Sequence, residues 1–217
     1  MIIDTNLTIF GGTGDLTFRK LLPALYTMDI TGKLPGNSRI VIIGRRDFDN
    51  ASYRQAAREW VEKNSRLPFE EKSYGHFSEK IYYYKMNFSE LSKYEALDRY
   101  YRQNEIRSHL FYYAVAPRFF SVITKGLKMV GGSEEGKVIL EKPFGENLAS
   151  ATVLNKELEA HFGAGQIYRI DHYLGKEMVR NIQAIRFANP IFTDVWNSRY
   201  IESVQISALE DMGVETR

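Results

Sequence analysis

Short apolar runs alternate with segments of helical spacing over most of this chain. Leu7-Thr8-Ile9-Phe10 reads as a strand, closed by Gly11-Gly12-Thr13-Gly14. From Asp15 to about Asp29, Leu16, Leu21, Leu22, Leu25 and Tyr26 recur at helical intervals. Residues 39–44 contain Ile40-Val41-Ile42-Ile43 without a polar break, as expected of a strand covered on both faces. The alternation predicts a helix over about 52–64, a strand over 81–86, a helix over 91–104 and a strand over 110–115. It continues with a helix from Pro117 to about Met129, a strand at 138–140, a helix over 148–162 and a strand at 166–170. Strands separated by helices predict an α/β fold, a doubly wound parallel sheet with right-handed crossovers.

After residue 174 the pattern changes. Residues 178–187 predict a helix, and Ile201-Glu202-Ser203-Val204-Gln205-Ile206-Ser207 alternates as a half-buried strand does. One helix and one strand cannot cover their own apolar faces. The expected organisation is therefore a complete domain over 1–170, followed by the beginning of an α+β domain over 171–217. Ile182, Ile185, Phe187, Phe192, Trp196, Val204 and Ile206 lack cover in this scheme. Poor solubility or self-association is expected, relieved by ending the chain near Ile170.

Composition narrows the function classes. The 217 residues are 44% hydrophobic and 26% charged, with a net charge of +2 and the basic residues scattered. This gives no basis for a nucleic-acid or membrane partner. Zero cysteines exclude disulfides, thiolate catalysis and a cysteine-based metal site. Met1-Ile2-Ile3 leads almost directly into the first strand, and no apolar run approaches membrane-spanning length. The expectation is a soluble cytoplasmic protein with no metal.

Two places along the alternation carry chemistry. The first is the turn Gly11-Gly12-Thr13-Gly14-Asp15-Leu16 between the first strand and first helix. In a Rossmann-type domain such a turn lets backbone N–H groups approach a dinucleotide pyrophosphate at a helix N-terminus. Gly12 and Gly14 fit the usual glycine fingerprint, whereas Thr17 occupies the place of its third small residue. The second strand then ends in Gly44-Arg45-Arg46. A carboxylate at this strand end would suit the ribose 2′-hydroxyl of NAD, whereas two guanidiniums suit the 2′-phosphate of NADP. NADP is the expected cofactor, with NAD as the alternative. Asp47 qualifies this, since it can neutralise an arginine or itself reach a ribose.

The second place is Arg169-Ile170-Asp171-His172-Tyr173-Leu174-Gly175-Lys176-Glu177, which gathers a carboxylate, an imidazole, a phenol and an ammonium just past a strand. This string resembles the signature of glucose-6-phosphate dehydrogenases. Gly11–Leu16 with Arg19-Lys20-Leu21, then Val115-Ala116-Pro117, Glu141-Lys142-Pro143-Phe144-Gly145 and Gly213-Val214-Glu215 extend the resemblance along the whole chain in order.

The resemblance implies oxidation of glucose 6-phosphate at C1 to 6-phosphogluconolactone, with hydride transfer to NADP, as the first step of the pentose phosphate pathway. It implies that His172, Tyr173 and Lys176 bind the sugar phosphate, a role that fits His172 and Lys176 sharing one face if helical. Lys142 would bridge cofactor and sugar, Lys20 would reach the substrate region, and Glu210 would accept from sugar hydroxyls. Asp171 would orient a different histidine, the general base that takes the C1 hydroxyl proton. None of His76, expected in a loop, His109 or His161 matches that base, so residues 1–217 alone are expected to be inactive. The whole protein is expected to be a homo-oligomer. Two other readings are a sugar oxidoreductase of the glucose–fructose oxidoreductase type and a short non-catalytic NADP-binding protein. The trio His172, Tyr173 and Lys176 opposes the former, since an unphosphorylated sugar does not call for it. For Lys142-Pro143 the sequence favours a trans bond.

Overall fold

The apolar runs become strands because their β-branched and aromatic residues fill a sheet buried on both faces. The computed structural model describes residues 6–145, 147–170 and 176–207. Asp171, His172, Tyr173 and Glu210 lie outside the described residues. The chain divides into two compact units, residues 1–170 and 171–217.

In the first unit the strands are β1 (Asn6–Phe10), β2 (Arg39–Gly44), β3 (Ile81–Lys85), β4 (Leu110–Tyr113), β5 (Lys137–Leu140) and β6 (Ile167–Arg169). They form one sheet in the order β3-β2-β1-β4-β5-β6, and every described pair is parallel. The order reverses between β1 and β4, which opens a crevice at their carboxyl ends.

Three helices, α1 (Leu22–Ile30), α2 (Asn50–Asn64) and α3 (Glu71–Glu79), supply one core layer. There Leu22, Tyr26, Tyr53, Val61 and Phe77 pack with Ile9, Ile40 and Ile42. On the other face α4 (Tyr94–Gln103), α5 (Phe120–Leu127) and α6 (Leu148–Glu159) cover Phe10, Val41, Ile43, Phe111, Tyr113, Val138 and Leu140. The period of two places adjacent strand residues in opposite layers, which is why each strand feeds both cores. Local sequence sets the helix starts: the Asp49 carboxylate accepts from Ser52 N–H at 2.7 Å, and Asn147 Oδ1 accepts from Ser150 N–H at 3.0 Å.

The second unit contains α7 (Glu177–Ala188) and α8 (Pro190–Thr193). Its apolar side chains are open: Phe187 is 72% exposed, Ile191 81% and Ile206 88%. No described helix is long and apolar enough to cross a membrane.

Four expectations need correction. Residues 71–79 form α3, which the pattern did not predict, because only Tyr74 and Phe77 of that segment are buried. His76 accordingly lies on this helix, exposed, and not in a loop. Residues 201–207 are not a strand, since among the described residues nothing pairs with them and a lone strand leaves its backbone groups unmatched. The Lys142-Pro143 peptide is cis, an isomer that the small energy gap of X–Pro bonds permits.

Candidate nucleotide site

β1 delivers the chain to the crevice, and its last residues fix how the glycine turn leaves the sheet. Gly11 takes φ +89°, a left-handed conformation that disfavours a side chain, and a Cβ there would stand 2.2 Å from the Ala114 carbonyl oxygen. Gly12 is shut in from the other side, where a Cβ would meet Ile42 Cγ2 at 2.0 Å. The Gly11 and Gly12 N–H groups both donate to the Ile43 carbonyl, at 3.2 and 2.9 Å. Gly14 N–H closes the turn on the Gly11 carbonyl at 3.0 Å.

Thr17, in the place of a third glycine, is fully buried and donates from Oγ1 to the same Gly11 carbonyl at 3.1 Å. The departure from the fingerprint is thus a second tie on the turn. The following helix opens at residue 15, directly after the cavity-lining Gly14, and its first N–H groups have no partner within the helix, which is what an anion site requires. The Asp15 carboxylate is paired with Arg19 at 2.7 Å. Leu16 packs inward against the core.

The helix begins with a wider π turn over Thr17–Leu21, with Leu22 N–H donating to the Thr17 carbonyl. Pro23 follows immediately and has no N–H for the regular ladder. Lys20 sits in this turn, exposed.

The turn after β2 forms the facing wall. Gly11, Thr13, Gly14, Gly44, Arg45, Arg46, Phe88 and Ala114 line one cavity of about 480 Å³. Arg45 and Arg46 are exposed, and among the described residues the ion pairs involve neither. Asp47 does not neutralise them; it pairs with Lys85 Nζ at 2.8 Å.

Beneath both walls lies an aromatic support that sequence reading missed. The Tyr53 ring stacks on Tyr83 at 5.0 Å, and Phe48 meets both rings edge-on at 5.7 and 5.6 Å. The Tyr53 hydroxyl donates to the Gly12 carbonyl, and the Tyr83 hydroxyl donates to the Arg46 carbonyl at 2.8 Å. Burial pushes both phenols above their ordinary pKa, so they stay protonated donors at neutral pH. No spacing rule foretells these bonds, which join residues 41 and 37 apart in sequence.

Lys142 follows β5 at the same carboxyl edge and is partly buried. Its neighbour Glu141 accepts a hydrogen bond from the Tyr112 hydroxyl of β4. Lys176 is exposed at the start of α7 in the second unit. The structure therefore gathers Gly11, Thr13, Gly14, Arg45 and Arg46 around the cavity of the first unit, whereas Gly12 is buried beneath the turn and neither Asp15 nor Leu16 lines the cavity. Of the three weighed histidines, His109 is buried near the opposite sheet edge, His161 is bonded to Ser133 at 3.1 Å, and His76 is exposed on α3. None lines the cavity.

Comparison with known proteins agrees with this architecture. Residues 8–181 match the family model "Glucose-6-phosphate dehydrogenase, NAD binding domain", and residues 183–217 match "Glucose-6-phosphate dehydrogenase, C-terminal domain". The chain is 39% identical to glucose-6-phosphate 1-dehydrogenase of Bacillus subtilis (strain 168), with 97% of this chain and 44% of that protein aligned. It is 40% identical to the Gluconobacter oxydans (strain 621H) protein of the same name, covering 98% of this chain and 44% of that one. The crystal structure of glucose-6-phosphate 1-dehydrogenase from Mycobacterium avium superposes with a TM-score of 0.75 at 29% identity, over 90% of this chain and 42% of that one. A glucose-6-phosphate dehydrogenase in complex with its substrate glucose-6-phosphate gives 0.74 at 32% identity, over 92% and 43%. The chain spans less than half the length of these relatives. By sheet order, glycine turn and both family models, the chain belongs to the glucose-6-phosphate dehydrogenase family.

Proposed function

We propose that this chain is the cofactor-binding part, and a share of the substrate-binding part, of an NADP-dependent glucose-6-phosphate dehydrogenase. The enzyme oxidises glucose 6-phosphate at C1 to 6-phosphogluconolactone, the first step of the pentose phosphate pathway. The observation that carries the cofactor reading is the single cavity in which the glycine turn faces Arg45 and Arg46 while Asp47 is engaged by Lys85. The Gly11, Gly12 and Gly14 N–H groups are spent on the turn itself, so the main-chain donors for a pyrophosphate are those of the helix start that follows. The guanidiniums at the end of β2 fit the 2′-phosphate. Bound there, the dinucleotide supplies the hydride acceptor.

Lys142, at the carboxyl edge of β5, reaches between cofactor and sugar. Lys20, Lys176, His172, Tyr173 and Glu210 supply donors and an acceptor to the sugar phosphate. Asp171 orients a histidine that withdraws the C1 hydroxyl proton, leaving the C1 hydride free to depart. None of His76, His109 and His161 lines the cavity; in this reading the base is a different histidine, and residues 1–217 alone bind nucleotide without turnover. The complete protein is a cytoplasmic homo-oligomer with neither nucleic acid nor membrane as partner. Calorimetric titration of the Arg45→Ala/Arg46→Ala variant tests the assignment. NADP⁺ affinity should fall about tenfold or more while NAD⁺ affinity holds, as expected on losing charge-assisted bonds to one phosphate. Equal losses for both would refute it.

A further inference from the structure

The turn after β2 carries two opposing tendencies. Arg45 and Arg46 attract a phosphate, whereas Asp47 beside them would repel it, neutralise a guanidinium, or accept from a ribose hydroxyl. Lys85, the last residue of β3, lies next to Gly44 in the strand register. From there its ammonium holds the Asp47 carboxylate at 2.8 Å. On the same strand, Tyr83 donates to the Arg46 carbonyl at 2.8 Å, which also accepts from Phe48 N–H at 3.2 Å. The backbone at residue 46 is thus fixed, and the side chain at 47 is drawn across to the edge strand.

We propose that Lys85 is a positioning residue for coenzyme selectivity: it holds the Asp47 carboxylate on β3, away from the guanidiniums and the 2′-phosphate they bind. This rests on the reading of Arg45 and Arg46 as the 2′-phosphate site. The ion pair is exposed, with side-chain accessibilities of 55% for Lys85 and 91% for Asp47, so it adds little to folding stability. Its consequence is where a charge sits. Without Lys85, Asp47 is released beside its sequence neighbours Arg45 and Arg46, and the site shifts toward a nucleotide bearing only a 2′-hydroxyl.

The test is the ratio of NADP⁺ to NAD⁺ affinity, measured by calorimetry on the 217-residue chain. Lys85→Gln should lower that ratio about fivefold, the effect of one partly screened charge contact. The double variant Asp47→Asn/Lys85→Gln should restore it to within about twofold of the parent, because no carboxylate is left to misplace. Lys85→Arg should retain it. A loss of fold alone would weaken both nucleotides and leave the ratio unmoved. An unchanged ratio in Lys85→Gln overturns the proposal. So does a double variant as impaired as Lys85→Gln, which would mean that Lys85 meets the phosphate itself. A parent protein that binds both nucleotides equally refutes the 2′-phosphate reading instead, and the two failures are told apart.

Discussion

Gly11→Ala should damage the nucleotide domain far more than the size of a methyl group suggests. Two costs add. The φ of +89° disfavours an L side chain, by about 1–2 kcal/mol. The new Cβ would also sit 2.2 Å from the Ala114 carbonyl oxygen and 2.7 Å from Val115 Cγ1, an overpacking worth about 1–3 kcal/mol. Relaxation is hindered, because Gly11 N–H is bonded to Ile43 and its carbonyl accepts from Gly14 and Thr17. The sum is about 2–5 kcal/mol, a large share of the ~5–15 kcal/mol that holds a typical domain.

Gly32→Ala is the control: its φ is +67°, but nothing lies within 4 Å of a Cβ, so only the conformational cost of about 1 kcal/mol applies. Urea unfolding followed by Trp60 fluorescence, with Trp196→Phe as background so that only the first unit reports, measures both. Gly11→Ala should lose at least 1 kcal/mol more than Gly32→Ala (about twofold its cost or greater) and should bind NADP⁺ at least about tenfold more weakly. Equal losses in stability would refute the claim that backbone crowding, and not φ alone, requires glycine at position 11.

Other consequences can be checked independently. Tyr53→Phe removes the hydroxyl that donates to Gly12; the urea midpoint should fall by the equivalent of about 1–3 kcal/mol, and an unchanged midpoint would show that the aromatic support is not coupled to the glycine turn. Burial lowers the pKa of His109 and of His161, the latter aided by Lys128. With folded values below the ordinary 6.5, their contribution to stability is complete above that pH and is lost as pH falls below it. The urea midpoint should therefore be flat from about pH 8 to 7 and decline toward pH 5, and the decline should shrink in His109→Phe; a midpoint that rises on acidification contradicts the assignment. Residues 178–206 expose Met178, Phe187, Ile191, Val204 and Ile206, so light scattering should show 1–217 self-associating and 1–170 monodisperse; a monodisperse 1–217 monomer opposes this.

What the sequence made legible follows from where the information is local. The uninterrupted Ile40-Val41-Ile42-Ile43 run and the glycine turn declare themselves within a few residues, so the parallel sheet and the turn that lines the cavity could be placed directly. The helix α3 could not, because it buries only two residues, Tyr74 and Phe77, and carries Gly75 between them. The alternation of residues 201–207 misled for the converse reason: a strand is defined by a partner, which local pattern does not supply. At the site, Thr17 looked like a defect in the fingerprint, yet its hydroxyl ties the turn. The Asp47–Lys85 pair and the Tyr53 and Tyr83 bonds join residues brought together only by the β2–β3 pairing and the packing of α2. Long-range contacts of this kind leave no periodic trace along the chain.

The cofactor assignment is tested most directly by calorimetric titration of purified 1–217 with NADP⁺ and NAD⁺, followed by glucose 6-phosphate. NADP⁺ should bind more tightly than NAD⁺, with no turnover when the sugar phosphate is added. Folded protein that binds neither nucleotide would mean that the glycine turn and the Arg45-Arg46 pair serve the fold alone, and would contradict it.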